Sequence, residues 1–446
     1  MNEQSPDRTE GDINLSECRR KWQDRTLNEQ TRDLLFRDEQ VFLRQSLSTP
    51  CLTVLEACNG SYLQDLQGKQ YLDFHGNSAH QVGYGHPKVL EAVEEEMHRL
   101  SFCPRRFTNL PAIELAEKLV DLAPGDLSKL LLCPAGTVAN GIALKLARLC
   151  TGRFKTISFW DAFHGASLDA ISIGGEALFR NNMGPLLPGC IQIPAPGSHA
   201  MGEEPLGWEE VLSYTEFVMK REGDVAAFIA EPLRCTTVEI PPVPFWKGMR
   251  ELCDRHDALL IFDEIPICLG RTGYWFTCEH YGVVPDILCI GKGLGGGVLP
   301  LAATLVRDGL DQGAAQAIGH YTHEKSTLGC AAALAALHVI EDQQLVERSR
   351  IKGKEILSRL QEFAESQNGV VEARGLGLMI GVEMATADVA ERVLYSCLEH
   401  GLSFKISGGT TLTLTPPLTI SDEEIEKAIS ILCTSIIKTL ESDYAS

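Results

Sequence analysis

The chain has 446 residues, 44% apolar and 22% charged, enough to bury a large core in two or three domains. Forty lysines and arginines against 60 aspartates and glutamates leave a net charge of −20, which argues against nucleic acid and anionic lipid as partners. Fifteen cysteines without CxxC spacing, a polar start at 1–11 and no apolar run near the roughly 18 residues that span a bilayer argue against disulfide scaffold, exported and membrane classes. A cytosolic enzyme is the expectation that remains.

In chain order, residues 1–39 are charged and poor in turn formers, with a helix-compatible stretch at 27–43. They are expected to form an arm lying on another surface rather than a core element. The pattern at 62–74 predicts a hairpin with Gly68 in the turn. His86-Pro87 opens an amphipathic helix over 88–100. Apolar runs at 130–133, 156–159, 190–193, 225–230, 259–262, 287–290 and 302–306 then alternate with helical stretches. The runs are continuous rather than alternating, as in strands covered on both faces, and predict a mainly parallel sheet with ligands at its C-terminal ends. Beyond 329 come an alanine-rich helix, an amphipathic helix over 345–364 and strands at 375–383 and 411–415. A last helix follows Pro416-Pro417, with Ser421 and Glu424 as a capping box. The expected division is 1–80 as N-terminal arm and part of a small domain, 81–335 as the large domain, and 336–446 as the C-terminal small domain.

The densest chemical signal is an apolar strand ending in Asp263 and a second strand delivering Lys292, flanked by glycines, to the same rim. Carboxylate and ammonium there are either an ion pair or a lysine that binds a pyridine aldehyde covalently while Asp263 holds the ring nitrogen protonated. A third segment favours the second reading. Cys-Pro-Ala-Gly-Thr-Val-Ala-Asn at 133–140 reads as strand, small-residue turn and helix, so the amides of Gly136 and Thr137 form an anion site suited to a phosphate.

Together these segments resemble the class III aminotransferases over roughly residues 40 to 440. The likeness rests on the turn at 135–140, Phe163-His164-Gly165, Ala230-Glu231-Pro232, Asp-Glu-Ile-Pro at 263–266, Gly-Arg-Thr-Gly at 270–273, Lys292 and Thr322. It implies an α/β protein of fold type I, a large domain with a mainly parallel seven-stranded sheet plus a smaller α+β domain, and pyridoxal 5'-phosphate as cofactor. It also implies Lys292 and Asp263 as catalytic residues, with Gly136, Thr137, Phe163, His164, Glu231, Ile265 and Thr322 as further cofactor contacts. Thr322 matches the threonine that reaches the phosphate in the neighbouring subunit, so a homodimer with shared active sites is implied. His75, His80 and His86 have no metal-like spacing, and no metal is expected.

The departures from the family pattern point to the reaction. Many members grip a 2-oxo acid with an arginine in the late strand, gated by a glutamate; here those positions hold Thr413 and Thr236. The glutamine that donates to the cofactor's phenolate is Pro266, while new cations appear at Arg234, Arg106 and Lys325. Loss of both clamp partners with retention of the cofactor set predicts elimination of ammonia from a small amino substrate bearing an anionic group. Resemblance to the family's ammonia-lyases implies a hydroxy-aminoethylphosphonate converted to phosphonoacetaldehyde. Transfer of the amino group to pyruvate is the alternative, and a non-catalytic cofactor binder the remaining one.

Overall fold

The computed structural model describes residues 14–200 and 204–444, so the polar start at 1–11 lies outside the described residues. Strands β1 (Leu55–Asn59), β2 (Tyr62–Asp65) and β3 (Gln70–Asp73) form an antiparallel meander, with Gly68 at φ 82° in the predicted hairpin turn. The helix expected at 88–100 is Pro87–Arg99.

The seven apolar runs are the seven strands of one sheet. They are β4 (Leu127–Cys133), β5 (Lys155–Phe159), β6 (Cys190–Ile193), β7 (Val225–Ala230), β8 (Leu259–Asp263), β9 (Ile287–Ile290) and β10 (Ala302–Arg307), in the order β4-β10-β9-β8-β7-β5-β6. Only β10 runs against its neighbours, β4 and β9; the composition of an apolar run carries no direction, so only pairing reveals this. Every residue of β7 and β9 is buried, which explains their uninterrupted apolar character: neither face meets water. The helices Gly136–Thr151 and Val243–Arg255 pack on this sheet.

The N-terminal segment is tied into the core rather than lying as an arm on another surface. A helix at Glu17–Thr26 precedes the expected one, which spans Glu29–Val41, and Asn28 caps the second by accepting from the Thr31 amide at 2.8 Å. Trp22 is fully buried, its ring centroid 6.2 Å from that of Tyr395. One indole supplies enough apolar area to fold a charged helix into the core, which overrides its polar composition.

Strands β11 (Val370–Leu376) and β12 (Met379–Met384) form a hairpin where one strand was expected at 375–383, because Gly377 at φ 57° reverses the chain. The short β13 (Leu402–Ser403) pairs parallel with β3 and ties the C-terminal part to the first meander. Strands β14 (Lys405–Ser407) and β15 (Thr411–Leu414) complete the sheet β11-β12-β15-β14. The last helix, Asp422–Tyr444, carries the predicted capping box: the Glu424 amide donates to Ser421 Oγ and the Ser421 amide to Glu424 Oε2. The helix Thr327–Asp342 runs continuously through position 335 and packs on Pro87–Arg99 and Leu110–Leu122.

Candidate active site

A cavity of about 420 Å³ opens at the C-terminal ends of the parallel strands. Strand β8 ends in Asp263 there, β7 runs into Glu231, and Lys292 follows β9 by two residues. Gly136, Thr137, Phe163, His164 and Ile265 complete the predicted set on this wall.

Asp263 is 2% exposed, and both of its carboxyl oxygens are engaged. Oδ2 accepts from Asn140 Nδ2 at 2.7 Å and stands 2.9 Å from His164 Nδ1, while Oδ1 accepts from the Ile265 amide at 3.1 Å. The Asn140 amide, the Ile265 N–H and the His164 ring together fix the orientation of this carboxyl group. Asn140 also donates to the His164 carbonyl at 2.8 Å, so one side chain fixes both partners. This role of Asn140 was missed, although its signal is in the sequence: an amide-bearing residue inside an otherwise apolar helix, one turn after Gly136.

Lys292 adopts φ 47°, a left-handed backbone that an L-residue holds only when its surroundings impose it. Its side chain is exposed within the cavity mouth. At the other end, the helix Gly136–Thr151 starts without a side-chain cap, so the Gly136 and Thr137 amides face the cavity they line. A Cβ on Gly136 would sit 2.7 Å from Ile265 Cδ1, so any other residue here would have to push the end of that side chain aside. Thr137 Oγ1 lies 2.5 Å from Ser167 Oγ, and the Phe163 ring is 4.6 Å from Phe179.

Glu231 is 7% exposed, and burial beside Asp263 pushes its carboxyl up to about 7, with His164, the Cys235 thiol and Arg234 offsetting part of the rise. Cys235, one wall residue absent from the predicted set, follows Glu231 by four positions in the same loop.

The remaining predicted residues lie elsewhere. Arg234 lines a small adjoining cavity, where Nη2 donates to the Asp161 carbonyl at 2.8 Å and Nη1 is 3.5 Å from Glu239. Arg106, Thr322 and Lys325 are exposed on two loops outside the cavity wall. Those loops are joined: Asn109 Nδ2 donates to the Lys325 carbonyl at 3.1 Å, and Phe102 meets His323 edge-on at 5.4 Å. Thr413 and Thr236, the two clamp positions, touch each other. Thr413 Oγ1 donates to the Thr236 carbonyl at 2.7 Å, lies 3.0 Å from Ser407 Oγ, and both threonines are 1% exposed. Among the described residues no group of three or more His, Cys, Asp and Glu is placed to hold a metal, and no helix is long and apolar enough to cross a membrane.

The donor set suits a phosphorylated pyridine aldehyde: uncapped helix amides for a phosphate, a carboxyl group fixed in place for a ring nitrogen, a primary amine for an aldehyde. The comparisons agree. The family model described as aminotransferase class-III matches residues 44–436. The chain is 46% identical over 459 aligned positions to the (R)-1-hydroxy-2-aminoethylphosphonate ammonia-lyase of Vibrio splendidus (strain 12B01), covering 97% of this chain and 95% of that protein. It is 36% identical to the acetylornithine aminotransferase of Methanopyrus kandleri, over 84% of this chain and 92% of that one. Among solved structures, the (S)-enantioselective omega-transaminase of Thermomicrobium roseum superposes with a TM-score of 0.85 at 29% identity, over 93% of this chain and all of that one. The chain belongs to the class III aminotransferase family and is a pyridoxal phosphate-dependent enzyme of fold type I.

Proposed function

We propose that this class III family member is an ammonia-lyase acting on a small amino substrate with a phosphonate group, (R)-1-hydroxy-2-aminoethylphosphonate, with phosphonoacetaldehyde and ammonia as products. The observation that carries this reading is the Thr413–Thr236 contact. Where an oxo-acid clamp needs a cation and its gating acid, two neutral residues meet, the Thr413 hydroxyl on the Thr236 backbone carbonyl, while the cavity keeps Lys292 and the Asn140–Asp263–His164 set. Similarity to the Vibrio splendidus lyase supports it independently.

In this reading the Gly136 and Thr137 amides would hold the cofactor phosphate, Phe163 and Ile265 would contact its ring, and Lys292 would bind its aldehyde. When bound, the cofactor supplies an electron sink for negative charge at the substrate's aminomethyl carbon. Asp263, fixed by Asn140, His164 and the Ile265 amide, would pair with the ring nitrogen and favour its protonated form. Lys292 Nζ takes the proton from the aminomethyl carbon as general base. Arg234 holds the phosphonate from the adjoining cavity.

Two chains are needed for a complete site. Thr322, Arg106 and Lys325 lie on loops outside their own chain's cavity, beside exposed Phe102, Phe107 and Leu110. A homodimer that covers this face brings the three residues to the partner's cavity. We place the protein in the cytoplasm, in keeping with its 15 free cysteines.

The deciding experiment is ammonia release by purified holoenzyme given racemic 1-hydroxy-2-aminoethylphosphonate without any oxo acid. Sustained ammonia with equimolar aldehyde is the expected outcome. Turnover only after pyruvate is added would overturn the lyase reading in favour of transamination.

A further inference from the structure

The lyase reading leaves one chemical requirement without a residue. Hydroxide is a poor leaving group, so the departing oxygen needs a proton donor. We infer that Glu231 is this donor, standing between the amine end and the phosphonate end of the substrate; the inference rests on the lyase reading.

The main cavity holds Lys292 and Asp263, and the small one, about 30 Å³, holds Arg234. Their walls have one residue in common, Glu231. Arg234 is set by the Asp161 carbonyl and Glu239, and its Nε is buried with no partner in the fold, so one donor is left for an incoming ligand. The substrate's backbone is a nitrogen, two carbons and a phosphorus. With the amine toward Lys292 and the phosphonate toward Arg234, it must pass Glu231. Its hydroxyl is on the carbon next to phosphorus, the part that lies nearest this shared wall.

Elimination among the other groups on the main wall leads to the same residue. Asp263 is taken up by Asn140, His164 and the Ile265 amide, and His164, turned to Asp263 through Nδ1, lines only the main cavity and not the one that holds Arg234. Thr137 shares its hydroxyl with Ser167, and Lys292 is the base. Cys235 is a weak thiol donor already turned to Glu231. Glu231 itself sits buried beside Asp263 with its carboxyl shifted up to about 7, so near neutral pH a large share of the chains carry a proton there, where an ordinary carboxyl would carry almost none. A bound phosphonate dianion raises that proton affinity further.

The step balances. Lys292 Nζ accepts the aminomethyl proton, a carbon–carbon double bond forms, and the C–O bond breaks with its electron pair leaving on oxygen. Glu231 transfers its proton to that oxygen and water departs. The Lys292 ammonium returns a proton to the Glu231 carboxylate, and hydrolysis of the enamine consumes one water. The net change is loss of ammonia alone.

The test compares wild-type and Glu231→Gln holoenzymes on the hydroxy substrate and on 2-amino-1-chloroethylphosphonate, whose chloride leaves without a proton. Exchange of the aminomethyl hydrogens with D₂O, read by proton NMR, reports Lys292 separately. Glu231→Gln should lower ammonia release from the hydroxy substrate at least about 20-fold more than from the chloro substrate, with exchange still detectable. Wild-type kcat/KM on the hydroxy substrate should fall above about pH 7, as the acid loses its proton, and on the chloro substrate it should not. Equal losses on both substrates, loss of exchange, or an unchanged rate on the hydroxy substrate would overturn the assignment. A wild-type enzyme that releases no ammonia from the hydroxy substrate without an oxo acid would instead overturn the lyase reading, and the acid role with it.

Discussion

Thr413 and Thr236 pack as neutral partners in a place with no room for a cation. Thr413 Oγ1 is engaged by the Thr236 carbonyl and Ser407, and all three residues are essentially sealed from water. Thr413→Arg would therefore bury a charge without a counter-ion, at a cost of about 3 kcal/mol. We expect a clear fall in Tm by calorimetry and no gain in amino transfer to 2-oxoglutarate. Adding Thr236→Glu supplies the missing anion and should recover a large part of the lost Tm. If the single variant were as stable as wild type, the site would be wetter than this packing allows. The same logic applies at Asp263, where Asn140 and His164 do by hydrogen bonding what water does at the surface.

Among the elements, the helix Leu345–Glu365 is pressed hard against the β11–β12 turn. A Cβ on Gly353 of that helix would lie 1.9 Å from the Gly377 carbonyl oxygen, which is backbone and cannot swing aside. Gly377 in turn approaches the backbone of Thr272, beside fully buried Arg271, which donates to the Leu378 and Pro416 carbonyls. Gly353→Ala is a gain in helix propensity by composition and an overpacking by structure, and overpacking wins by about 1–3 kcal/mol or more. Thermal unfolding should show Gly353→Ala less stable than wild type, whereas Gly309→Ala, with open space around its Cβ, should lose only what its φ of 90° imposes.

At the scale of the whole molecule, the chain leaves Phe102, Phe107, Leu110 and Ile113 between 41% and 60% exposed, next to the Thr322 loop. Shared sites make a distinctive prediction. Lys292→Ala and Thr322→Asp chains should each be nearly inactive as homodimers. Coexpressed in equal amounts they should recover roughly a quarter of wild-type turnover, since half the dimers are mixed and each mixed dimer has one intact site. Activity no higher than the sum of the two separate variants would show that each chain builds its own site.

The seven strands and the strand ends bearing Asp263 and Lys292 were legible in the sequence because doubly covered strands must be apolar throughout and their ends must face the ligand. The capping box at Ser421 was legible because it is local, its partners being three residues apart. Other features depend on residues distant in the chain. The direction of β10 is set by pairing, and the core role of Trp22 by a tyrosine more than 370 positions away. The Asn140–Asp263 bond, the contact between the two clamp positions and the placing of Glu231 between two cavities likewise exist only once the chain has closed on itself. Periodicity and short motifs record what a residue needs from its neighbours in sequence; burial, charge state and reach are set by neighbours in space.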